Sequence, residues 1–352
     1  MMSSPIPYYA DKAAVLADVF GAKQVDIDQQ SIVVDGNRYP IVDDVIVLLE
    51  PGKYTKRVSD ALDAAPVAVS QDARYFAEDI QSTFSKEWQS FSKVLPEHED
   101  EFRQYFDLVD IEALGEATVC DLGCGSGRWS YFLRKRCRQL ILVDFSDAIF
   151  EARHNLLDCP GAVFFMGDLT NLPLRPGFAD LVVCLGVLHH LPVPALEEVR
   201  RLQRLAPRLL VYIYYALDNR PAHFRVLLAV VSGIRRVTSR ITGQRTRSIF
   251  AWSLTLGVYM PFIALGRGLD RLCLSELVPL QDSYRGKSLA RIEQDVYDRF
   301  FTRIEQRVTR SSILKLRDTF LAVTISPSLP YWHFLCESEL GLSMPVRPSE
   351  KS

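Results

Sequence analysis

Two neighbouring histidines, three aspartates and three glycines stand where this chain could do chemistry. His189 and His190 follow an apolar run at 181–185. An imidazole, with an ordinary pKa of about 6.5, can take a proton from a hydroxyl near neutral pH. The alternative is that one ring faces the core and the other caps the next helix. Asp121, Asp144 and Asp168 each close or follow a short apolar run. An acid such as Asp144, at the end of the second run, can accept hydrogen bonds from both hydroxyls of a ribose. Ser146 or Asp147 is then left to cap the helix that follows. Gly123, Gly125 and Gly127 alternate directly after Asp121, and glycines at such a turn let the backbone pass close to a ligand.

Holding these groups together takes alternating strands and helices. Residues 118–122 form a strand, the glycines a tight turn, and 130–138 a helical pattern with Tyr131, Phe132 and Leu133 apolar. Runs at 139–143, 162–166, 181–185 and 209–215 read as further strands of a buried parallel sheet. Helices are expected at about 147–157, 195–205 and 298–320. Residues 321–325 and 331–337 then read as a terminal antiparallel pair around Pro327-Ser328-Leu329-Pro330. The glycine spacing departs from the dinucleotide fingerprint. The third glycine comes one residue early, and Arg128 stands where a Rossmann glycine would be. That weighs against a nicotinamide cofactor.

The spacing Asp121-x-Gly123-x-Gly125-x-Gly127, then Asp144, Asp168 and the phrase Gly186-Val187-Leu188-His189-His190-Leu191, resembles the class I S-adenosylmethionine (SAM)-dependent methyltransferases of the small-molecule type. The resemblance covers about 118–215. It implies an α/β fold: a doubly wound, seven-stranded Rossmann-like methyltransferase sheet with a helical insertion after the fifth strand. The cofactor it implies is SAM, held by Asp121, Gly123, Cys124, Gly125, Gly127, Asp144, Phe145, Asp168, Leu169 and Leu185. In that family the acid at Asp168 receives the adenine amino group and the next side chain packs on the ring. His190, ahead of His189, is the catalytic candidate. Tyr214, Tyr215, Tyr284 and Arg285 are candidate acceptor contacts. Ala206-Pro207-Arg208 stands where the family has a Pro-Gly-Gly turn. Aromatics within 71–114, Phe84 to Phe91 above all, read as a cap over the cofactor or as plain aromatic core. The expected activity is methyl transfer to a small, hydrophobic or lipid-like acceptor. A catalytically silent SAM-binding scaffold and a macromolecular acceptor are the competing readings.

The remaining chain divides into an N-terminal β-hairpin segment and linker (1–66), the SAM-binding core with its helical cap (67–216), an insertion (217–290), the returning core (291–340) and a tail (341–352). In the first, 24–34 and 39–49 read as two strands around Asp35-Gly36-Asn37, a hairpin signal. Residues 37–49 resemble the end of a small zinc-ribbon-like module found beside some methyltransferases. The cysteines that would hold zinc are missing, so no metal is expected. Seven scattered cysteines without a Cys-x-x-Cys pair read as reduced thiols. No basic-then-apolar leader opens the sequence, so the expected location is cytoplasmic or peripheral at the inner membrane face.

The insertion carries a charge anomaly. Between 219 and 269 there are eight Arg, no Lys and no acid, while the chain as a whole has a net charge of −2. Residues 249–266 carry no charge, yet fall short of the roughly 20 apolar residues of a transmembrane span and contain Gly257 and Pro261. A lid over a hydrophobic acceptor is the first reading. Docking of 222–272 on an anionic membrane surface is the second and a dimer interface the third, so the oligomeric state stays open. Nucleic acid is not expected as a partner, because the basic block lacks regularly interleaved aromatics.

Overall fold

A computed structural model describes residues 8–64, 81, 94–241, 243–272, 274, 277–284 and 286–338. Eleven strands form one sheet: β1 (Val25–Ile27), β2 (Ser31–Val34), β3 (Asn37–Val42), β4 (Val45–Val47), β5 (Thr118–Leu122), β6 (Gln139–Asp144), β7 (Ala162–Met166), β8 (Leu181–Leu185), β9 (Arg208–Tyr212), β10 (Ala322–Ile325) and β11 (Phe334–Glu337). Their order is β1-β2-β3-β4-β7-β6-β5-β8-β9-β11-β10. The last seven positions are the expected seven-stranded sheet. Strands β5 to β8 are mostly apolar and are buried throughout apart from the final residue of β6, because helices cover both faces of a parallel sheet. One apolar core lies on each face. Strand β5 pairs with β6 on one side and β8 on the other. The winding reverses there, and a crevice opens beyond the strands' carboxyl ends.

The N-terminal segment departs from the expected pair of strands by folding as four. Asp35-Gly36 (φ 47 and 84) and Asp43-Asp44 (φ 46 and 61) both adopt the left-handed conformation. Each makes a two-residue turn whose twist suits a hairpin. The second turn sends β4 back along β7, parallel to it, with Ile46 opposite Phe165 and Val47 opposite Met166. The segment therefore extends the sheet. Tyr8 and Tyr9 fasten it by donating to the carbonyls of Ala162 (2.8 Å) and Asp44 (2.7 Å).

Helices α1 (Ala13–Phe20), α2 (Lys56–Ala61), α3 (Glu97–Tyr105), α4 (Arg128–Leu133), α5 (Ala148–Asn155) and α6 (Ala195–Leu202) belong to the core. Of the aromatics expected within 71–114, Phe102 and Phe106 pack with ring centroids 4.3 Å apart. Tyr75, Phe76 and the Phe84–Phe91 cap lie outside the described residues.

The insertion contributes α7 (Ala222–Thr238), α8 (Gln244–Leu254) and α9 (Met260–Leu269). A π turn, Thr255–Tyr259, joins α8 to α9 without a break. This wider turn lies just before Pro261, whose ring and missing N–H would disrupt a regular helix interior. Arg245–Leu269 is consequently one helix long and apolar enough to cross a membrane, with 28% of its apolar window buried. The eighteen-residue count made from the uncharged run understated its length.

The helix expected at 298–320 is also corrected. Helix α10 runs Leu289–Phe301, started by the Ser288 side chain accepting from the Arg291 N–H. Thr302 is extended, and a second helical stretch begins only after the Thr309 capping box. Helix α10 belongs with the insertion. Ala251, Tyr259 and Ile263 share a core with its Ile292, Val296 and Phe300.

Candidate active site

The glycine turn is built by β5 and β6 together. Gly123 and Cys124 both donate to the Val143 carbonyl, at 2.7 and 3.1 Å. Gly123, Gly125 and Gly127 all have positive φ. At Gly123 a Cβ would come within 2.4 Å of Val187, the residue after Gly186 on the neighbouring loop. Only glycine lets those two loops close on one another. Gly127 has another reason, since a Cβ there would strike Leu156 and Ala152. It lets α4 pack on α5.

A cavity of about 340 Å³ lies in the crevice, within the size range of small-molecule sites. Gly123, Asp144, Phe145, Asp168, Leu169, Leu185 and His190 all line it, together with Gly186, Val187, Leu191, Pro192 and Val193. Asp121, Cys124, Gly125, Gly127 and His189 are not on its wall. Asp121 is buried beneath it and accepts from the Ser130 hydroxyl at 2.6 Å. It ties β5 to α4.

Asp144 is more engaged than an open hydrogen-bond acceptor would be. One oxygen accepts the Gly125 N–H (2.8 Å); the other accepts the N–H and hydroxyl of Ser146 (2.8 and 2.7 Å). Burial raises its pKa in spite of these bonds. A carboxylate offers about four lone-pair sites, so capacity remains for a hydroxyl arriving from the cavity. Asp168 accepts the Thr170 N–H and hydroxyl on one oxygen and pairs with Lys53 at 2.9 Å on the other. Burial pushes its pKa up, but the bonds from Thr170 and Lys53 outweigh it and hold the group charged. The buried Gln81 amide donates to the carbonyls of Lys53 (2.9 Å) and Phe145 (3.1 Å), linking both sides of this end.

The two histidines separate. His189 is fully buried and stacks on Tyr214 at 3.9 Å. Its ring nitrogens have no hydrogen-bond partner among the described residues, and burial, then the neighbouring His190, drives its pKa well down. It is a neutral packing group. His190 reaches the cavity. Its Nδ1 lies 2.9 Å from the Ile304 carbonyl, which can only accept, so Nδ1 carries a proton and, in the neutral ring, Nε2 is the basic nitrogen. Nε2 is 3.8 Å from the Asp298 carboxylate on α10. Asp298 accepts from the hydroxyls of Tyr214 and, at 2.9 Å, Thr302. The arrangement can take up a proton at Nε2 and stabilise the resulting charge.

Asp298, Lys53 and Gln81 escaped the sequence reading. Each acts through a partner far away in the chain, and none sits in a motif. Tyr214 supports Asp298. Tyr215 faces Tyr331 at 5.6 Å, and Tyr284 is buried against Tyr259 at 5.4 Å. Arg285 lies outside the described residues.

Asp121 also sets a pH dependence of stability. Burial, against the Ser130 hydroxyl and with the Asp144 charge, raises its pKa from 3.8 to about 7. In the unfolded chain it ionises near 3.8, whereas in the folded protein it keeps its proton to about 7. Between those values the folded state binds more protons, so its stability falls as pH rises, by up to about 1.4 kcal/mol per unit. Unfolding in urea at pH 5 and pH 8 should show a larger loss at pH 8 for the wild type than for Asp121→Asn. An equal loss in both would place the titration elsewhere.

A family model described as "Methyltransferase domain" matches residues 119–206. The "Ubiquinone biosynthesis O-methyltransferase" of Nitrosomonas europaea is 29% identical over 168 residues, 46% of this chain and 70% of that protein. The human "Probable tRNA methyltransferase 9B" is 24% identical over 37% of this chain, and this chain spans only 28% of its length. Among solved structures, magnesium protoporphyrin IX methyltransferase from Synechocystis PCC 6803 with bound SAH matches 47% of this chain and 68% of its own, with 23% identity and a TM-score of 0.31.

Proposed function

Residues 119–206 make this chain a class I SAM-dependent methyltransferase, and from that premise we propose that it methylates a hydroxyl on a small, apolar acceptor. The observation that carries the proposal is His190. It is the cavity-lining group with a basic nitrogen, backed by a carboxylate, and the wall beside it is Leu191, Pro192 and Val193. The bacterial relative is named for O-methylation in ubiquinone biosynthesis, which supports an acceptor of this class.

The residues present fit the cofactor. Gly123 leaves room where a side chain would collide with Val187, and Asp144 and Asp168 offer carboxylate oxygens at the cavity wall. Asp144 would hold the ribose hydroxyls and Asp168 the adenine amino group, with Phe145, Leu169 and Leu185 as apolar walls. When bound, SAM supplies a methyl group made electrophilic by its sulfonium. The chain's own task is to orient the acceptor and remove a proton from it. His190 takes the hydroxyl proton on Nε2 as the new carbon–oxygen bond forms. Asp298 then faces a positively charged ring, held in place by Tyr214 and Thr302. Helix α10 brings Asp298 to the His190 ring, and the insertion packed on it would act as a lid that keeps water from the reacting oxygen.

A macromolecular acceptor is the second reading, favoured by the relative named as a tRNA methyltransferase. Methyl-labelled SAM, incubated with the purified chain and fractionated host extract, separates the two. Label is expected in the organic-soluble small-molecule fraction, and label confined to RNA or protein would overturn the proposal.

A further inference from the structure

Large apolar side chains left exposed on this protein are concentrated in one region. Of the fifteen recorded among the described residues, twelve lie between Val226 and Leu277. On α7 they are Val226, Val230, Ile234 and Val237, at 65, 55, 43 and 68% exposure. At 3.6 residues per turn these spacings of four, four and three make a single stripe. Arg225 and Arg236 fall along one edge of that stripe and Arg240 lies just past the helix end, all exposed. On α8 the exposed series is Arg245, Ile249, Trp252 and Leu256, again one stripe. The opposite side of the same rod, Ala251, Tyr259 and Ile263, is buried on α10. Each helix thus keeps one side on the protein and turns an apolar side outward.

Of the eight arginines, Arg220 donates to the Tyr331 hydroxyl at 3.4 Å, and the other seven divide in two. Arg235 is held at 2.5 Å by the buried Glu305, and Arg247 donates to the Ile241 carbonyl and lies over Phe301. Those two are structural. Arg225, Arg236, Arg240, Arg245 and Arg267 are exposed, and none has an acidic partner among the described residues. The segment 219–269 supplies no acid to neutralise them.

We propose that the outer face of α7 and α8 docks in the plane of an anionic lipid bilayer. An apolar stripe edged by unpaired arginines is the composition of a helix lying at a lipid headgroup boundary. Trp252, partly exposed within the stripe, has the amphipathic ring that favours that depth. A protein partner would have to bring apolar surface and an excess of acids together; an anionic bilayer provides both. The rod Arg245–Leu269 is long enough to span. As a span, however, it would leave the α10 core open, so it lies along the surface with its buried side kept on the protein. This docking does not depend on which acceptor is methylated.

Flotation of the full chain with vesicles of phosphatidylcholine and phosphatidylglycerol in roughly equal amounts tests the proposal. The protein should float with these vesicles at low salt, stay behind with pure phosphatidylcholine and be released by high salt. Replacing Arg225, Arg236, Arg240 and Arg245 with Gln should weaken partitioning by about 10²–10³-fold. Val230→Ser with Ile234→Ser should weaken it too. Unchanged thermal unfolding in both variants would show that the fold is intact. Three results would overturn the proposal. One is no flotation of the wild type at low salt. Another is resistance to alkaline carbonate extraction, the mark of a true span. The third is a solution dimer that the serine variant dissolves without any vesicle binding, which assigns the face to a second copy.

Discussion

Replacing His190 with alanine is expected to lower kcat by about 10²–10⁴ while SAM affinity stays within about twofold. The ring lines the cavity and its Nε2 lies 3.8 Å from a carboxylate, so its loss would remove the proposed destination of the proton and leave the cofactor wall alone. Asp298→Asn should lower kcat by a smaller factor, because the ring remains and only the charge that stabilises its protonated form is gone. His189 is the control. It stacks on Tyr214 inside the protein, so His189→Ala should cost stability through a lost buried ring, roughly 2–4 kcal/mol. His189→Phe, which keeps a ring there, should retain turnover. Calorimetry with SAM and initial rates on the labelled acceptor read out both. If the folded, SAM-binding His190→Ala protein turns over at the wild-type rate, His190 is not the base and transfer rests on alignment.

Asp144→Ala is expected to reduce SAM affinity by about 10²-fold or more. Charge-assisted hydrogen bonds to the two ribose hydroxyls are each worth roughly 1.5–3 kcal/mol. The structure adds a second loss, because the same carboxylate accepts the Gly125 N–H at 2.8 Å and so fixes the glycine turn against β6. Asp144→Asn keeps the size but offers one acceptor oxygen and brings N–H donors toward the Gly125 donor. It should therefore fall nearer to Ala than to the wild type. Isothermal titration of SAM into each variant checks this, with circular dichroism to confirm folding. An affinity within about twofold of wild type in Asp144→Ala would remove Asp144 from the cofactor site.

How much could be read from sequence follows the range of the interactions. Strands β5 to β9 announce themselves as apolar runs, and the glycine turn by its spacing, because both signals are local. The seven-stranded sheet followed from the resemblance, and the alternating elements agreed with it. Lys53 beside Asp168 was invisible, since a salt bridge between positions so far apart leaves no periodic trace. Asp298 was hidden in another way. The helix that carries it was expected to begin there, whereas α10 starts at Leu289 and has Asp298 in its last turn. Its apolar face, Ile292, Val296 and Phe300, packs on the insertion, so the boundary drawn at 290 cut through one packed unit. The histidine pair was found by type, but which of the two reaches the cavity depends on the turn after β8, and sequence does not resolve that.

The parallel pairing of β4 with β7 bears on how the chain acquires its fold. A ribosome releases β1 to β4 as a ready-made meander, closed by two tight turns and quick to form. The strand it must join is made more than a hundred residues later, so the meander waits with β4 as an open edge through the synthesis of β5 and β6. Contacts of such long sequence separation slow folding, because the intervening loop must be closed before they form. An uncovered strand edge in the meantime is where chains stick to one another. The hydroxyls of Tyr8 and Tyr9, which reach the carbonyls of Ala162 and Phe164 on β7, fasten that edge only once β7 has arrived. The meander is thus among the earliest parts of the protein to take shape and among the last to be secured.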